Sequence, residues 1–175
     1  MDKISSAVFK IDQALDKKVC KDLCEHIEIS PSVKATMLKD NKDYVDTKVR
    51  NVYTLPLNLN NQQDRLYQES IVNTCSEAIL NYKKIFISLP QELRLNSINL
   101  LKYKTGNFYK KHADAFHQVN RQLSFIINLN EDYEGGDLIF YYPNEPQFAY
   151  SKVKLKTGDL VMFPSNFMYP HSVEP

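Results

Sequence analysis

From Asp12 to Ile27 the apolar residues Leu15, Val19, Leu23 and Ile27 recur at every fourth position, with Lys17, Lys18, Lys21, Asp22 and Glu25 mostly elsewhere. That spacing predicts a surface helix started by Asp12, with His26 close to its end. A second stripe, formed by Tyr67, Ile71, Cys75, Ala78, Ile79, Tyr82 and Phe86, predicts a helix from about Gln62 to Phe86 packed on a sheet. The segment from Lys34 to Leu59 between them is polar and charged; it reads as a mobile lid with one short strand, Val49 to Leu55, ended by Pro56. All four glycines fall after residue 105, at Gly106, Gly135, Gly136 and Gly158, each in a polar break between runs rich in β-branched and aromatic residues. The runs predict strands near Ile98 to Tyr103, Tyr109 to Ala115, Leu123 to Leu129, Leu138 to Tyr142, Lys152 to Leu155, Leu160 to Phe163 and Pro170 to Val173. Helices first and short antiparallel strands afterwards make this an α+β chain whose sheet part closes as a sandwich or jelly roll.

Composition narrows the field without naming a chemistry. A chain of 175 residues with 43% apolar content is expected to form one domain around one core. Its formal charge of +1 gives no global attraction to nucleic acid or an anionic membrane. The start, Met1-Asp2-Lys3 running into Ile4 to Val8, is too short and too soon broken by Lys10 for a secretory segment, and no later run spans a bilayer. The expectation is a soluble, cytoplasmic protein. Three cysteines, with Cys20 and Cys24 four apart in the first helix, read as reduced core thiols.

Chemistry enters with His112-Ala113-Asp114 and, 57 positions further on (171 − 114 = 57), His171. On a strand, residues i and i+2 face the same side, so His112 and Asp114 can grip one ion together. Two neutral imidazoles and one carboxylate on one face of a metal leave the opposite face open, as in non-haem Fe(II) sites that activate oxygen. A rival local cluster of His112, Asp114 and His117, of zinc type, is poorer because the five-residue separation puts His117 on the opposite strand face. Strands distant in sequence lie side by side in a jelly roll, which is how His171 reaches the pair.

Leu101-Lys102-Tyr103-Lys104-Thr105-Gly106-Asn107-Phe108-Tyr109-Lys110-Lys111-His112-Ala113-Asp114 resembles the strand bearing His-x-Asp in prolyl 4-hydroxylase-like Fe(II)/2-oxoglutarate dioxygenases. Arg121 to Asn130, then Tyr133-Glu134-Gly135-Gly136-Asp137-Leu138, is similar to that family's Arg-led strand and Gly-Gly hairpin. Lys156 to Ser165, ahead of His171, is similar to the strand and turn delivering the distal histidine. The resemblance covers residues 98 to 175. It implies a distorted double-stranded β-helix, cupin-like, with N-terminal helices buttressing the sheet: helical support over about residues 1 to 90 and the β-helix core over about 91 to 175.

The resemblance further implies Fe(II) held by His112, Asp114 and His171, with 2-oxoglutarate and O2 as cosubstrates, ascorbate as an optional accessory, and hydroxylation with release of succinate and CO2. Tyr103 matches a tyrosine that hydrogen-bonds the cosubstrate. Asn128 stands where many relatives have a tyrosine reaching its far carboxylate, and Arg121 matches an arginine at the substrate entrance. Arg50, at the start of the lid strand, is a further candidate for substrate contact. The family's basic residue about ten positions beyond the distal histidine has no counterpart before Pro175, so the β-helix is expected to lack its last strand. Peptidyl proline is the expected acceptor, with another amino-acid side chain or a small metabolite as the enzymatic alternative. A silent jelly-roll binding module is the non-enzymatic one. Nucleic acid and membrane partners are not favoured, and oligomeric state is not legible.

Overall fold

The computed structural model describes residues 5–117 and 119–175; the reading of Met1 to Ile4 lies outside them. After a 3-10 turn at Ser5–Ala7, β1 (Phe9–Ile11) precedes α1 (Lys17–Ile29). Five short strands follow: β2 (Val33–Lys34), β3 (Met37–Lys39), β4 (Lys42–Tyr44), β5 (Arg50–Asn51) and β6 (Tyr53–Pro56). Then come α2 (Gln62–Ile85), β7 (Asn99–Lys102), β8 (Phe108–His112), β9 (Leu123–Ile127), β10 (Leu138–Tyr141), β11 (Ala149–Val153), β12 (Leu160–Pro164) and β13 (His171–Val173).

The first helix begins one turn later than its apolar spacing predicts. Asp12 is drawn to Lys10 Nζ at 2.5 Å and Gln13 has φ 50°, so the chain is still turning there. Asp16 caps α1 instead, its carboxylate accepting from Lys18 N at 2.8 Å and Val19 N at 3.4 Å. His26 lies in the last turn, with Nε2 3.0 Å from Asp64 Oδ1 in the first turn of α2, a partner that spacing along the chain could not reveal. The single strand expected over Val49 to Leu55 is two strands in different sheets: β5 pairs with β8, whereas β6 pairs with β2 and β7. Pro56 is the last residue of β6 rather than the residue after it. The strand predicted from Lys152 starts at Ala149 and stops at Val153, where its pairing with β10 runs out.

Two sheets face each other across the core, one in the order β1-β12-β9 and the other β11-β10-β13-β8-β5. Alternation along β12 sorts its side chains. Val161 and Phe163 meet Leu138 and Phe140 of β10, whereas Leu160 and Met162 join Ala78 and Tyr82 of α2. A further cluster joins Cys20, Leu23 and Ile27 of α1 to Tyr67 and Ile71 of α2, and to Leu55 and Leu100 of the β2-β6-β7 sheet. All three cysteines are free, and burial pushes the Cys20 and Cys75 thiols up to about 11. Among the described residues no helix is long and apolar enough to cross a membrane.

Gly158, in the turn before β12, has φ +87°, and a Cβ there would stand 2.4 Å from Leu15 O. That close approach lets Leu15 N–H reach Gly158 O at 3.0 Å, tying the segment ahead of α1 to the edge of the core. Neighbouring Asp159 completes the tie. Its side chain is 1% exposed and accepts from Gln13 N at 3.0 Å and Lys156 N at 2.9 Å, with Lys10 Nζ 2.8 Å away.

Candidate metal centre

β13 lies between β10 and β8, and its antiparallel register sets His171 directly opposite His112. The expected strand from Tyr109 to Ala115 ends at His112, so Asp114 is not on it. Ala115 N–H donates to Ser165 O at 2.8 Å, which turns the chain from the β8 sheet toward the end of β12 and brings Asp114 round with it. The carboxylate still arrives at the histidines: Asp114 Oδ1 is 3.4 Å from His112 Nε2 and 3.8 Å from His171 Nε2. Ligand atoms from the three side chains all lie within 4.8 Å of one another.

Each histidine is oriented by its own strand. His112 Nδ1 is 2.8 Å from Lys110 O, and His171 Nδ1 is 3.1 Å from Tyr169 O. A carbonyl oxygen only accepts, so each Nδ1 carries a proton and each Nε2 is the nitrogen turned toward Asp114, the atom that offers a lone pair to a metal when the ring is neutral. Burial drives the Asp114 carboxyl upward. The hydrogen bond from His112, the charges of both imidazoles and the Ser124 hydroxyl outweigh it and hold the group well below the usual carboxylate range. Burial, then the neighbouring His112 charge, lowers His171 to about 4. At neutral pH the trio is therefore an anionic oxygen beside a neutral buried imidazole, the forms in which these groups ligate a metal.

The donor set suits a first-row divalent ion. Such ions take imidazole nitrogen and carboxylate oxygen at about 2.0–2.2 Å, so neighbouring ligand atoms on one ion stand about 3 Å apart, and small side-chain rotations reach that here. Aromatic rings form the walls. Tyr109 stacks on His112 with centroids 3.5 Å apart and planes at 19°, while Phe163 and Phe140 flank His171 at 4.8 and 5.6 Å.

Other expected site residues are distributed around this centre. Tyr103 follows β7, is electrostatically coupled to Arg50, Tyr109 and Asp114, and is pushed up to about 12 by burial. Arg50 opens β5 opposite Tyr109, with its guanidinium carbon 4.7 Å over that ring. Arg121 directs Nη1 to Asp114 O at 3.5 Å and Nε to Asn96 Oδ1 at 3.3 Å. Asn128 is engaged elsewhere. Its amide donates to Asn130 O and Leu155 O and accepts from Tyr133 Oη, so contact with a cosubstrate requires exchange of one of these bonds. His117 is exposed, its ring edge-on to Phe116, and stands outside the ligand group.

Ser124 was not legible as a site residue. Its hydroxyl donates to Asp114 Oδ2 and lies 2.8 Å from Ser165 Oγ, holding the carboxylate from the opposite sheet. The available signal was a hydroxyl alternating with apolar residues on β9, in the phase that places Ile126 in the core. Ser124→Ala is expected to weaken Mn(II) or Fe(II) binding about 10-fold with the fold retained, as losses of outer-shell partners generally do. Unchanged affinity by anaerobic titration would show that Asp114 needs no such support.

The sequence model of the 2OG-Fe(II) oxygenase superfamily matches residues 98–175. A PKHD-type hydroxylase of Aliarcobacter butzleri is 30% identical over 119 residues, covering 62% of this chain; the match spans 48%, about half, of that relative's length. A Trichoplax adhaerens prolyl hydroxylase, solved with a peptide fragment of the hypoxia inducible factor oxygen degradation domain, superposes at TM-score 0.75 with 14% identity, over 97% of this chain and 77% of that one. A Pseudomonas putida prolyl-4-hydroxylase superposes at 0.70 with 18% identity, over 99% and 88%. At such identities the structures establish the shared jelly-roll fold.

Proposed function

We propose, for a chain whose residues 98–175 belong to the 2OG-Fe(II) oxygenase superfamily and are prolyl 4-hydroxylase-like, that the protein is an Fe(II)- and 2-oxoglutarate-dependent hydroxylase acting on peptidyl proline. The observation that carries the reading is the convergence of two imidazole Nε2 atoms, each fixed by an Nδ1–H bond to backbone, on one half-buried carboxylate. Iron(II), when bound with 2-oxoglutarate and O2, supplies the oxidising chemistry that hydroxylates a C–H bond and releases succinate and CO2.

The chain's own part is to hold and shield. His112, Asp114 and His171 are the proposed metal ligands, and Ser124 keeps the carboxylate turned toward the imidazoles. Tyr103, and Asn128 after exchange of a bond, are the proposed cosubstrate contacts, while Arg121 and Arg50 face the acceptor. Phe140, Phe163 and Tyr109 exclude water from the histidines. One domain over residues 1–175, with α1 and α2 buttressing the sheet, is supported by the clusters they share with β7 and β12. A reducing compartment such as the cytoplasm suits the three free thiols. Proline as acceptor is supported by the names of the relatives, of which one is bound to a peptide.

The test incubates the protein with Fe(II), 2-oxoglutarate, ascorbate and proline-containing peptides. Iron-dependent succinate, together with one oxygen atom gained at proline, is expected. Succinate formation without any peptide oxidation would move the acceptor to another side chain or a metabolite. Absence of both anaerobic Fe(II) binding and 2-oxoglutarate binding would end the enzyme reading.

A further inference from the structure

Arg50 is a cation placed where a protein seldom leaves one unpaired. Its Nε is buried without a hydrogen-bond partner, and Nη1 donates to Thr36 O at 2.8 Å. Among the described residues no carboxylate pairs with it. The guanidinium lies over Tyr109, whose other neighbour in the stack is His112, so Arg50, Tyr109 and His112 form a column ending at the metal centre. Tyr103, just after β7, is half-buried and lies within electrostatic reach of the same guanidinium.

With Nη1 committed to Thr36, the edge of Arg50 left for a ligand is the one formed by Nε and Nη2. Two parallel N–H groups at that edge match the two oxygens of a carboxylate. The Tyr103 hydroxyl adds a third donor from the end of β7. A half-buried guanidinium whose Nε has no partner is stabilised most when an anion meets it, so this arrangement is poised for an acidic ligand and not for a neutral one. Thr36 lies just before the β3–β4 hairpin, so the bond to its carbonyl also ties the base of that hairpin to the same side chain.

We infer that Arg50, assisted by Tyr103, is a carboxylate-binding residue of this site. The inference rests on the proposed oxygenase reading only for the identity of the carboxylate, which belongs either to the far end of 2-oxoglutarate or to an acid-bearing acceptor.

The experiment follows the Arg50 Nε–H resonance by NMR in Zn(II)-loaded protein titrated separately with 2-oxoglutarate, L-proline and L-prolinamide, alongside dissociation constants for Arg50→Gln and Arg50→Lys. If the cosubstrate is the ligand, 2-oxoglutarate moves the resonance, and both variants bind it at least ~10-fold more weakly, the loss expected for charge-assisted bonds. If the acceptor is the ligand, L-proline moves the resonance, L-prolinamide does not, and 2-oxoglutarate affinity is unchanged in the variants. A resonance that none of the three ligands moves overturns the proposal, and because it is read on the wild-type protein that outcome stands even if a variant fails to fold. Zinc content reports the triad independently: protein that retains no zinc but still shifts at Arg50 keeps the carboxylate site and loses the oxygenase reading.

Discussion

Asp114→Ala is expected to lower divalent-metal affinity by at least ~100-fold and to abolish iron-dependent succinate formation, beyond the 10- to 100-fold typical of losing an outer-shell partner. Asp114 is the one anionic member of the trio, so without it the metal meets two neutral nitrogens and keeps its full charge in a partly buried site. Packing should survive. The side chain contributes no apolar contact to the clusters around β10 and β12, and the backbone bond from Ala115 N to Ser165 O remains available. His112→Ala should behave likewise, though loss of the Tyr109 stack adds a modest destabilisation. Metal affinity measured anaerobically, with thermal unfolding as the control, decides the matter: wild-type turnover in either variant would sink the triad. Acid should weaken metal binding in the unmodified protein, because imidazole ligates only when neutral. His171, lowered to about 4, keeps its lone pair across the physiological range.

Asp159→Ala should have the largest effect on stability, about 3 kcal/mol in urea unfolding at pH 7, near the low end for breaking a buried ion pair because Lys10 is partly exposed. The substitution leaves Gln13 N and Lys156 N without their acceptor and releases the N-terminal strand from the turn before β12. Asp159→Asn retains one carbonyl oxygen and should cost less. The pH dependence follows from direction. Burial pushes the Asp159 carboxyl up, but the Lys10 bond and the backbone donors of Lys156 and Gln13 outweigh it and bring it below its ordinary 3.8. A carboxyl lowered on folding contributes stability that is fully present above the unfolded value and is lost as pH falls through the folded one. Wild type and Asp159→Asn should therefore converge in strong acid and differ near neutrality. Equal stability of Asp159→Ala and wild type at pH 7, within ~0.5 kcal/mol, would show that the tie carries no weight.

Local patterns carried much of the architecture. The helix read from Gln62 to Phe86 is α2 almost to the residue, because its apolar stripe from Tyr67 to Phe86 holds its period for about five turns at the helical 3.6 residues each. The β9, β10 and β12 runs were legible for a similar reason: they are rich in apolar, β-branched and aromatic residues, and glycines with positive φ separate them. The segment from Lys34 to Leu59 was less legible. Runs of two to four residues such as β2, β5 and β6 are too short to show a period, and their pairing depends on which neighbour supplies an edge. The start of α1 was misplaced because two aspartates four apart both look like caps. Lys10 engages the first and leaves Asp16 for the helix.

The candidate ligands were legible in the sequence alone, since side-chain chemistry is local: two imidazoles and a carboxylate suit one class of metal wherever they meet. Their meeting was decided by tertiary structure. His112 and His171 face each other because β13 pairs with β8 in one register, and Asp114 reaches them because a single backbone bond to Ser165 turns the chain between sheets. Ser124 and Arg50 likewise meet the partners behind their proposed roles, Asp114 and Tyr109, only through the tertiary fold. Such contacts depend on loop closure and sheet register, which are settled by the burial of the whole core and leave no periodic trace in the residues that use them.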